Sequence, residues 1–496
     1  MNKMMIMQEI VNAPSPLLRP FAPSRLRAFA PFALSCFRTL CIGIFLVPSL
    51  TGGAQGTQAV VSSKSDMSFP DVTSIFFSDT EGRPILTLGE CLKQALESNY
   101  SVTIARNLEE AARNNLTPGP FLPSLSLNGR QNQERLNQRD VYPEGSDPLD
   151  LKREYATNLY STDLALNWRL FDGMSMFASY DTKKELLSQG ELNLRGSMED
   201  LAADIAGQYY DIVTQENLLK ATKLYLDISN FRNYIAIVKH EAGAFSGVER
   251  RQAQLDLNAD SSTLVRQREI LDNAYVKLFE MMNIELGTQA FLGDSIITNG
   301  SLLLDELCAS ARNRNTAILM ARSGERISAL DLRIARSSRY PTLDFTAGYR
   351  FNHSSSGILT PRFTDLHGAN WGFTASMKLF DRLETNRKIK NARIDVENSE
   401  LRSRQTEWRV ISEITQSYNT YRKNFQMIEA ERKSVNIATD NLDAAMAMYR
   451  EGAIGGVEFR EIQRSYLGAW ERLFDAINQA KFSEIQLLYL SGHMLD

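Results

Sequence analysis

A chain of 496 residues, 43% hydrophobic and 23% charged, has a globular or mixed composition rather than that of a polytopic helical membrane protein or a disordered tail. Its net charge of −4 and pI near 5.8 argue against nucleic-acid binding, which requires a basic surface. Four cysteines and four histidines are too few for a disulfide framework or a zinc cluster.

Residues 1–39 carry Lys3, Arg19, Arg25, Arg27 and Arg38 against the single acid Glu9, and an apolar run follows from Leu40 to Leu50 before Thr51-Gly52-Gly53-Ala54. That order is the one a secretory signal uses. The run has half of the roughly 20 residues that a bilayer-spanning helix needs. A signal peptide over 1–54 is expected, with a retained anchor as the other reading, and 55–85 is an N-terminal extension. Cleavage after Ala54 leaves 50 basic and 58 acidic residues, a net charge of −8, with Cys91 and Cys308 as the remaining thiols. Few stray thiols suit an oxidising compartment. Sequence leaves open whether the two are bonded. No later stretch approaches a transmembrane helix, so membrane residence would require strands.

In chain order, periodicity predicts a helix over 88–116, strands over 122–133 and 161–171, a long helix over 174–241 and a shorter one over 248–283. The series then repeats as a helix over 304–337, strands over 341–352 and 370–380, and helices over 383–450 and 457–490. No proline occurs in 149–340 or 362–496, as very long helices require. At 1.5 Å rise, about 67 residues extend about 100 Å.

The chain is written twice, over 86–300 and 301–496. Gly243–Gln254 and Gly452–Gln463 agree at seven of twelve positions at an offset of 209, the offset that also relates Leu170-Phe171-Asp172 to Leu379-Phe380-Asp381. Glu90, Asn99 and Arg106 match Glu306, Asn315 and Arg322 at 216, and Pro123-Ser-Leu-Ser-Leu matches Pro341-Thr-Leu-Asp-Phe at 218. The drift places nine extra residues between the strands of the first copy, in a stretch holding Pro143, Glu144, Gly145 and Pro148, the composition of an exposed loop.

The strands alternate cleanly. Leu164, Leu166 and Trp168 oppose Asp163, Asn167 and Arg169; Leu343 and Phe345 oppose Asp344 and Thr346; Trp371 and Phe373 oppose Gly372 and Thr374. On an exported chain this is the pattern of transmembrane β-strands, apolar to lipid and polar to a wet lumen. Four strands cannot close a barrel, and an open edge in lipid leaves costly unpaired backbone groups. Several chains must then pool their strands, and a trimer supplies twelve. Long helices by themselves equally fit a structural coiled coil of the envelope.

From Leu86 to Gly492 the chain resembles the TolC-like outer-membrane efflux proteins. The resemblance rests on Leu88-Gly-Glu90…Ala95-Leu96…Asn99, on Pro123-Ser-Leu-Ser-Leu, on Leu170-Phe171-Asp172-Gly173 and on the Tyr449-x-x-Gly452 turn before Val457-Glu458. It departs at Thr316, where the family often has proline, and at Ile454, where some members carry a basic gating residue. The resemblance implies a mainly α homotrimer with a 12-stranded outer-membrane β-barrel continuous with a 12-helix periplasmic α-barrel. It further implies a passive exit duct for small toxic molecules, working with a periplasmic adaptor and an inner-membrane transporter of RND, ABC or MFS type. The same conduit could instead serve type I protein secretion. No enzyme activity and no cofactor are expected, since no nucleotide-binding loop, metal-ligand spacing or nucleophile–base pair stands out.

The candidate site lies at the helical turns. Glu458 and Glu461 stand at i and i+3 on one helical face, and Glu249 is the repeat mate of Glu458. In a threefold assembly they read as carboxylate rings that attract divalent cations, or else as acids favoured at a helix N-terminus. Arg251 and Arg460 are candidate partners for these acids, and Tyr449 is a candidate lock or a packing residue. Gly243, Gly247, Gly452 and Gly456 mark the turns where an adaptor would dock. Leu164, Leu166, Trp168, Leu343, Phe345, Trp371 and Phe373 are expected to face outer-membrane lipid, with the two tryptophans either interfacial anchors or members of the apolar belt.

Overall fold

The computed structural model describes residues 85–140, 151–286, 291–292, 296–298, 300–356 and 363–495, all within the unit Phe69–Asp496. The expected signal peptide, most of the 55–85 extension and the Pro143–Pro148 insertion lie outside these residues.

The first copy opens with β1 (Ile85–Leu86), α1 (Leu88–Ser98) and α2 (Tyr100–Asn115), continues through β2 (Ser124–Asp140) and β3 (Leu151–Asp172), and ends in α3 (Ser175–Glu241) and α4 (Gly247–Met282). After β4 (Phe291–Leu292), which pairs in parallel with β1, the second copy runs α5 (Leu304–Arg314), α6 (Thr316–Ser337), β5 (Thr342–Ser356), β6 (Phe363–Ser376), α7 (Glu384–Glu451) and α8 (Gly456–Ser491).

Each opening helix, expected to be continuous, is instead two. Asn99 and Asn315 sit in extended backbone at ψ 133° and 122°, closing one helix and capping the next. The Asn99 side-chain Oδ1 accepts from the Ser101 amide at 2.8 Å, while its Nδ2 donates to the Met281 carbonyl at 2.9 Å. Asn315 likewise caps Ile318 and donates to the Leu490 carbonyl at 2.9 Å. The apolar period runs on through both breaks, so periodicity alone does not show them. Thr316 occupies the first helical position, where the missing N–H of a proline would cost nothing.

The four long strands form one antiparallel sheet in the order β2-β3-β5-β6. Ser124 pairs with Asn167 in the first hairpin and Thr342 with Ser376 in the second, so adding 218 and 209 to the first register reproduces the second. β2 and β3 run further from the helices than their alternation indicates. Their distal residues, such as Gln133 and Glu134, are polar on both faces yet remain ladder-bonded. β6 stops four residues short of the expected 380.

The apolar candidates share one face. Leu127, Leu164, Tyr349 and Ala369 form one cross-strand row, and Leu125, Leu166, Ala347 and Trp371 the next. Phe345 stacks obliquely on Phe373 at 5.0 Å. Cores lie under the helices: Cys91, Ile205, Tyr209 and Leu278 in one copy, Leu307, Ile414, Tyr421 and Leu487 in the other. Cys91 and Cys308 are free thiols in these separate clusters.

The two copies meet along α3 and α6. Glu185 accepts from Arg326 at 2.9 Å and from the Ser323 hydroxyl at 3.0 Å. These bonds, the Arg326 one foremost, hold its carboxyl below the ordinary value of 4.5 against the opposing effect of burial. A depressed carboxylate contributes stability above its ordinary pKa and loses it as pH falls through the folded value. Acid titration below about pH 4.5 should therefore loosen this seam, and Glu185→Gln should flatten that part of the unfolding profile followed by circular dichroism.

Candidate functional site

Two helical hairpins turn beside each other at the end remote from the sheet. Gly243 ends α3 with φ +76° and Gly452 ends α7 with φ +84°, the left-handed region that glycine enters without penalty. Gly247 and Gly456 are instead the first helical residues of α4 and α8. Ser246 and Glu249 close a reciprocal capping box at 3.2 Å, whereas α8 starts at Gly455 with no side-chain cap. Lys239 joins the hairpins: its Nζ donates to the Tyr449 carbonyl at 2.6 Å and lies over the Phe245 and Tyr449 rings. Tyr449 is buried, stacked on Phe459 at 4.8 Å, and its phenol bonds Arg232. Burial pushes that phenol up in pKa while Arg232 opposes the shift.

Beneath the turns lies a buried polar network spanning α3, α4 and α8. Arg460, 9% exposed, donates to both oxygens of Asp260, at 2.6 and 2.7 Å, and its guanidinium lies over the Tyr225 ring. Burial works against the Arg460 charge, but the bonds to Asp260, together with the nearby Tyr225, Asp260 and Asp256 groups, outweigh it and raise its pKa above the ordinary value. Asp260 also accepts from Ser229, and Gln463 donates to Ser229 at 2.6 Å and to the Tyr225 carbonyl at 3.2 Å. One turn of α4 away, Arg232, 3% exposed, meets Asp256 at 2.7 Å. A cleft of about 390 Å³ opens beside these groups, lined by Glu249, Asp256, Tyr449, Arg460, Glu461 and Arg464 among others.

At the sheet, the polar face carries cross-strand pairs, Arg169 with Asp344 at 2.9 Å and Asn128 with Asp163 at 3.0 Å. Trp168 lies on the apolar face with its indole N–H donating to the Phe121 carbonyl at 2.9 Å, and Trp371 on the same face is exposed. β2 and β6 are both edges.

Residues 91–283 and 307–493 match the family described as Outer membrane efflux protein, one match per copy. The chain belongs to this family. Protein CyaE of Bordetella pertussis (strain Tohama I) is 22% identical over 417 residues, covering 82% of this chain and 83% of that protein. Outer membrane protein TolC of Salmonella enteritidis is 23% identical over 349 residues, covering 68% of this chain and 70% of that protein. Among solved structures, the outer membrane protein VceC of Vibrio cholerae superposes with a TM-score of 0.66 at 16% identity, covering 82% of this chain and 96% of VceC. The outer-membrane channel OprN gives 0.68 at 14%, covering 82% and 90%. The fold, mainly helical with a small antiparallel sheet, is that of these outer-membrane channels, which are not enzymes.

For an outer membrane efflux protein, the tip side chains divide in a way that spacing did not anticipate. Arg460 is paired with Asp260 and not with Glu249, Glu458 or Glu461, because helix α8 turns it inward between α3 and α4. Arg251 stays exposed and forms no ion pair among the described residues. Glu458 and Glu461 are exposed, and Glu249 is engaged in its capping box. Ile454 packs half-buried beside the Tyr449–Phe459 cluster. The residues missed from sequence are Ser229, Arg232, Lys239, Asp256, Asp260 and Gln463. Each reads singly as a solvated helical side chain, because its partner lies on another helix.

Proposed function

We propose that three copies of this chain assemble into an outer-membrane exit duct, with the strands pooled as a 12-stranded barrel and the helices forming a 12-helix barrel in the periplasm. The observation that carries the reading is the open sheet. Four strands with an apolar face end in two unpaired edges, β2 and β6, and each hairpin leads directly into a helix of 67 or 68 residues. Unpaired edges in lipid cost several kcal/mol per backbone group, so closure by further copies is the stable arrangement. The polar face, with Arg169, Asp344, Asn128 and Asp163, then lines the water-filled interior.

The duct is passive and takes cargo, small toxic molecules in this reading, from a periplasmic adaptor seated at the helical turns and an inner-membrane transporter of RND, ABC or MFS type that supplies the energy. Glu458 and Glu461, exposed at the uncapped start of α8, form the carboxylate ring at the periplasmic mouth, where divalent cations bind and restrict flow.

Single-channel conductance of the purified protein in a planar bilayer tests this. Discrete steps blocked by divalent cation from one side are expected, and Glu458→Gln with Glu461→Gln should keep the steps while weakening the block at least about tenfold in cation concentration. Absence of steps from a verified folded trimer would overturn the conduit, and unchanged block in the double variant would remove the ring.

A further inference from the structure

We propose that the barrel end of the duct favours anions, with Arg130 of each copy, backed by Arg350, forming a positively charged ring at the outer margin of the apolar belt. This rests on the conduit reading and names the class of solute, small organic anions, that the exit passes most readily.

The two faces of the sheet are sorted by charge. Between the Trp168–Phe345 pair and the Thr162–Phe351 pair, the apolar face carries no aspartate, glutamate, lysine or arginine. Over the same length the polar face carries Arg130, Arg169 and Arg350 against Asp163 and Asp344. Both aspartates are engaged. Asp344 meets Arg169 at 2.9 Å, while Asp163 accepts from Asn128 at 3.0 Å and pairs in register with Arg350. Arg130 is the charge left over. Its row reads Arg130, Ser161, Asn352 and Leu366, and it is exposed without an ion pair among the described residues. One row, about 7 Å along the strand, separates it from Asp163 and Arg350, so two guanidinium groups share one carboxylate there. The next acid outward on this face, Glu134, stands two rows on, about 14 Å along the strand, and accepts from Asn132.

A surplus of one positive charge per chain becomes three in a trimer, and the size of the barrel keeps that surplus effective. Twelve strands about 4.8 Å apart and tilted about 40° close on a backbone radius of about 12 Å. Inward side chains narrow the free lumen further, toward the Debye length of about 8 Å at physiological salt. The potential of the ring therefore reaches the axis, and low-dielectric walls of strand and lipid focus it. Glu134 lies beyond one Debye length and does not cancel it. Arginine suits the position, because its charge persists at any physiological pH and its planar fork takes two oxygens of a carboxylate or phosphate at once. The two ends of the duct thus carry opposite signs, with Glu458 and Glu461 at the mouth and Arg130 at the exit.

Reversal potentials of single channels in a KCl gradient test the ring, read in a background of Glu458→Gln with Glu461→Gln so that the acids at the mouth do not contribute. Arg130→Gln should lower the chloride-to-potassium permeability ratio at least about twofold, and Arg130→Lys should keep it. Ser161→Asp sets a carboxylate opposite Arg130, as Asp344 stands opposite Arg169, and should lower the ratio as Arg130→Gln does while leaving the arginine in place. This second route carries the test where Arg130→Gln yields no folded trimer. A ratio unchanged by either substitution overturns the ring, and a fall in Arg130→Lys as large as in Arg130→Gln overturns charge as its cause. Absence of steps from a folded trimer of the background chain overturns the conduit reading itself.

Discussion

Arg460→Leu should destabilise the helical tip by about 3–5 kcal/mol, the usual cost of leaving one member of a buried ion pair alone. Asp260 would keep its hydrogen bond from Ser229 but lose both bonds from the guanidinium, at 2.6 and 2.7 Å, inside a site closed on three sides by α3, α4 and α8. A buried carboxylate in that position either stays charged without a counterion or takes up a proton, and both outcomes loosen the contact. Hydrogen exchange of Tyr225–Arg232 and Gly456–Gln463 amides measures the loss locally, and denaturant unfolding measures it globally. Removing both charges, as Arg460→Leu with Asp260→Leu, should recover most of the stability, because well-packed apolar replacements of a buried pair are often neutral. Under the proposed function the single variant should also raise channel conductance, since the pair ties α8 to α4 close to the mouth. A single variant as stable as the parent would show that water reaches the pair.

Gly173→Ala is the second large effect. Gly173 turns β3 into α3 at φ +70°, and a Cβ placed there would come within 2.5 Å of the Ser337 carbonyl oxygen and 2.9 Å of the Tyr340 Cβ. Backbone conformation alone does not demand glycine at this corner, because its repeat mate Arg382 adopts φ +58° with a full side chain. The close approach of the α6 end decides. Strain of about 1–2 kcal/mol for the left-handed conformation adds to an overpacking cost of about 1–3 kcal/mol, so a total of about 2–5 kcal/mol is expected. Gly243→Ala, at φ +76° with open space around the position, should cost only the first part. Thermal unfolding of the two variants side by side separates conformational strain from steric conflict, and equal losses would remove the Ser337 contact as the cause.

Much of the architecture was legible because it rests on periodicities the chain repeats. Both long helices end within a residue or two of their expected limits, because proline is absent within them and glycine stands at φ +76° and +84° beyond their last turns. The hairpin registers follow from offsets that could be counted between motifs. The breaks at Asn99 and Asn315 were not legible, since each depends on a carbonyl of a helix about 180 residues away, Met281 or Leu490. The distal parts of β2 and β3 were missed for the opposite reason, as residues polar on both faces carry no alternation even when their backbones are paired.

The candidate site divides along the same line. The glycine turns, the placing of the exposed Glu458 and Glu461 just beyond one of them, and the shared apolar face of Leu164, Phe345 and Trp371 were legible in the sequence, because each depends on the spacing of neighbours along one element. What holds the tips together was decided only by the tertiary structure. Asp260 and Arg460 are 200 residues apart, Lys239 and Tyr449 210, and the sense in which a charged helical side chain turns, toward solvent or toward a partner, depends on which helices pack beside it. Spacing within a helix says which residues share a face; only packing says what that face meets.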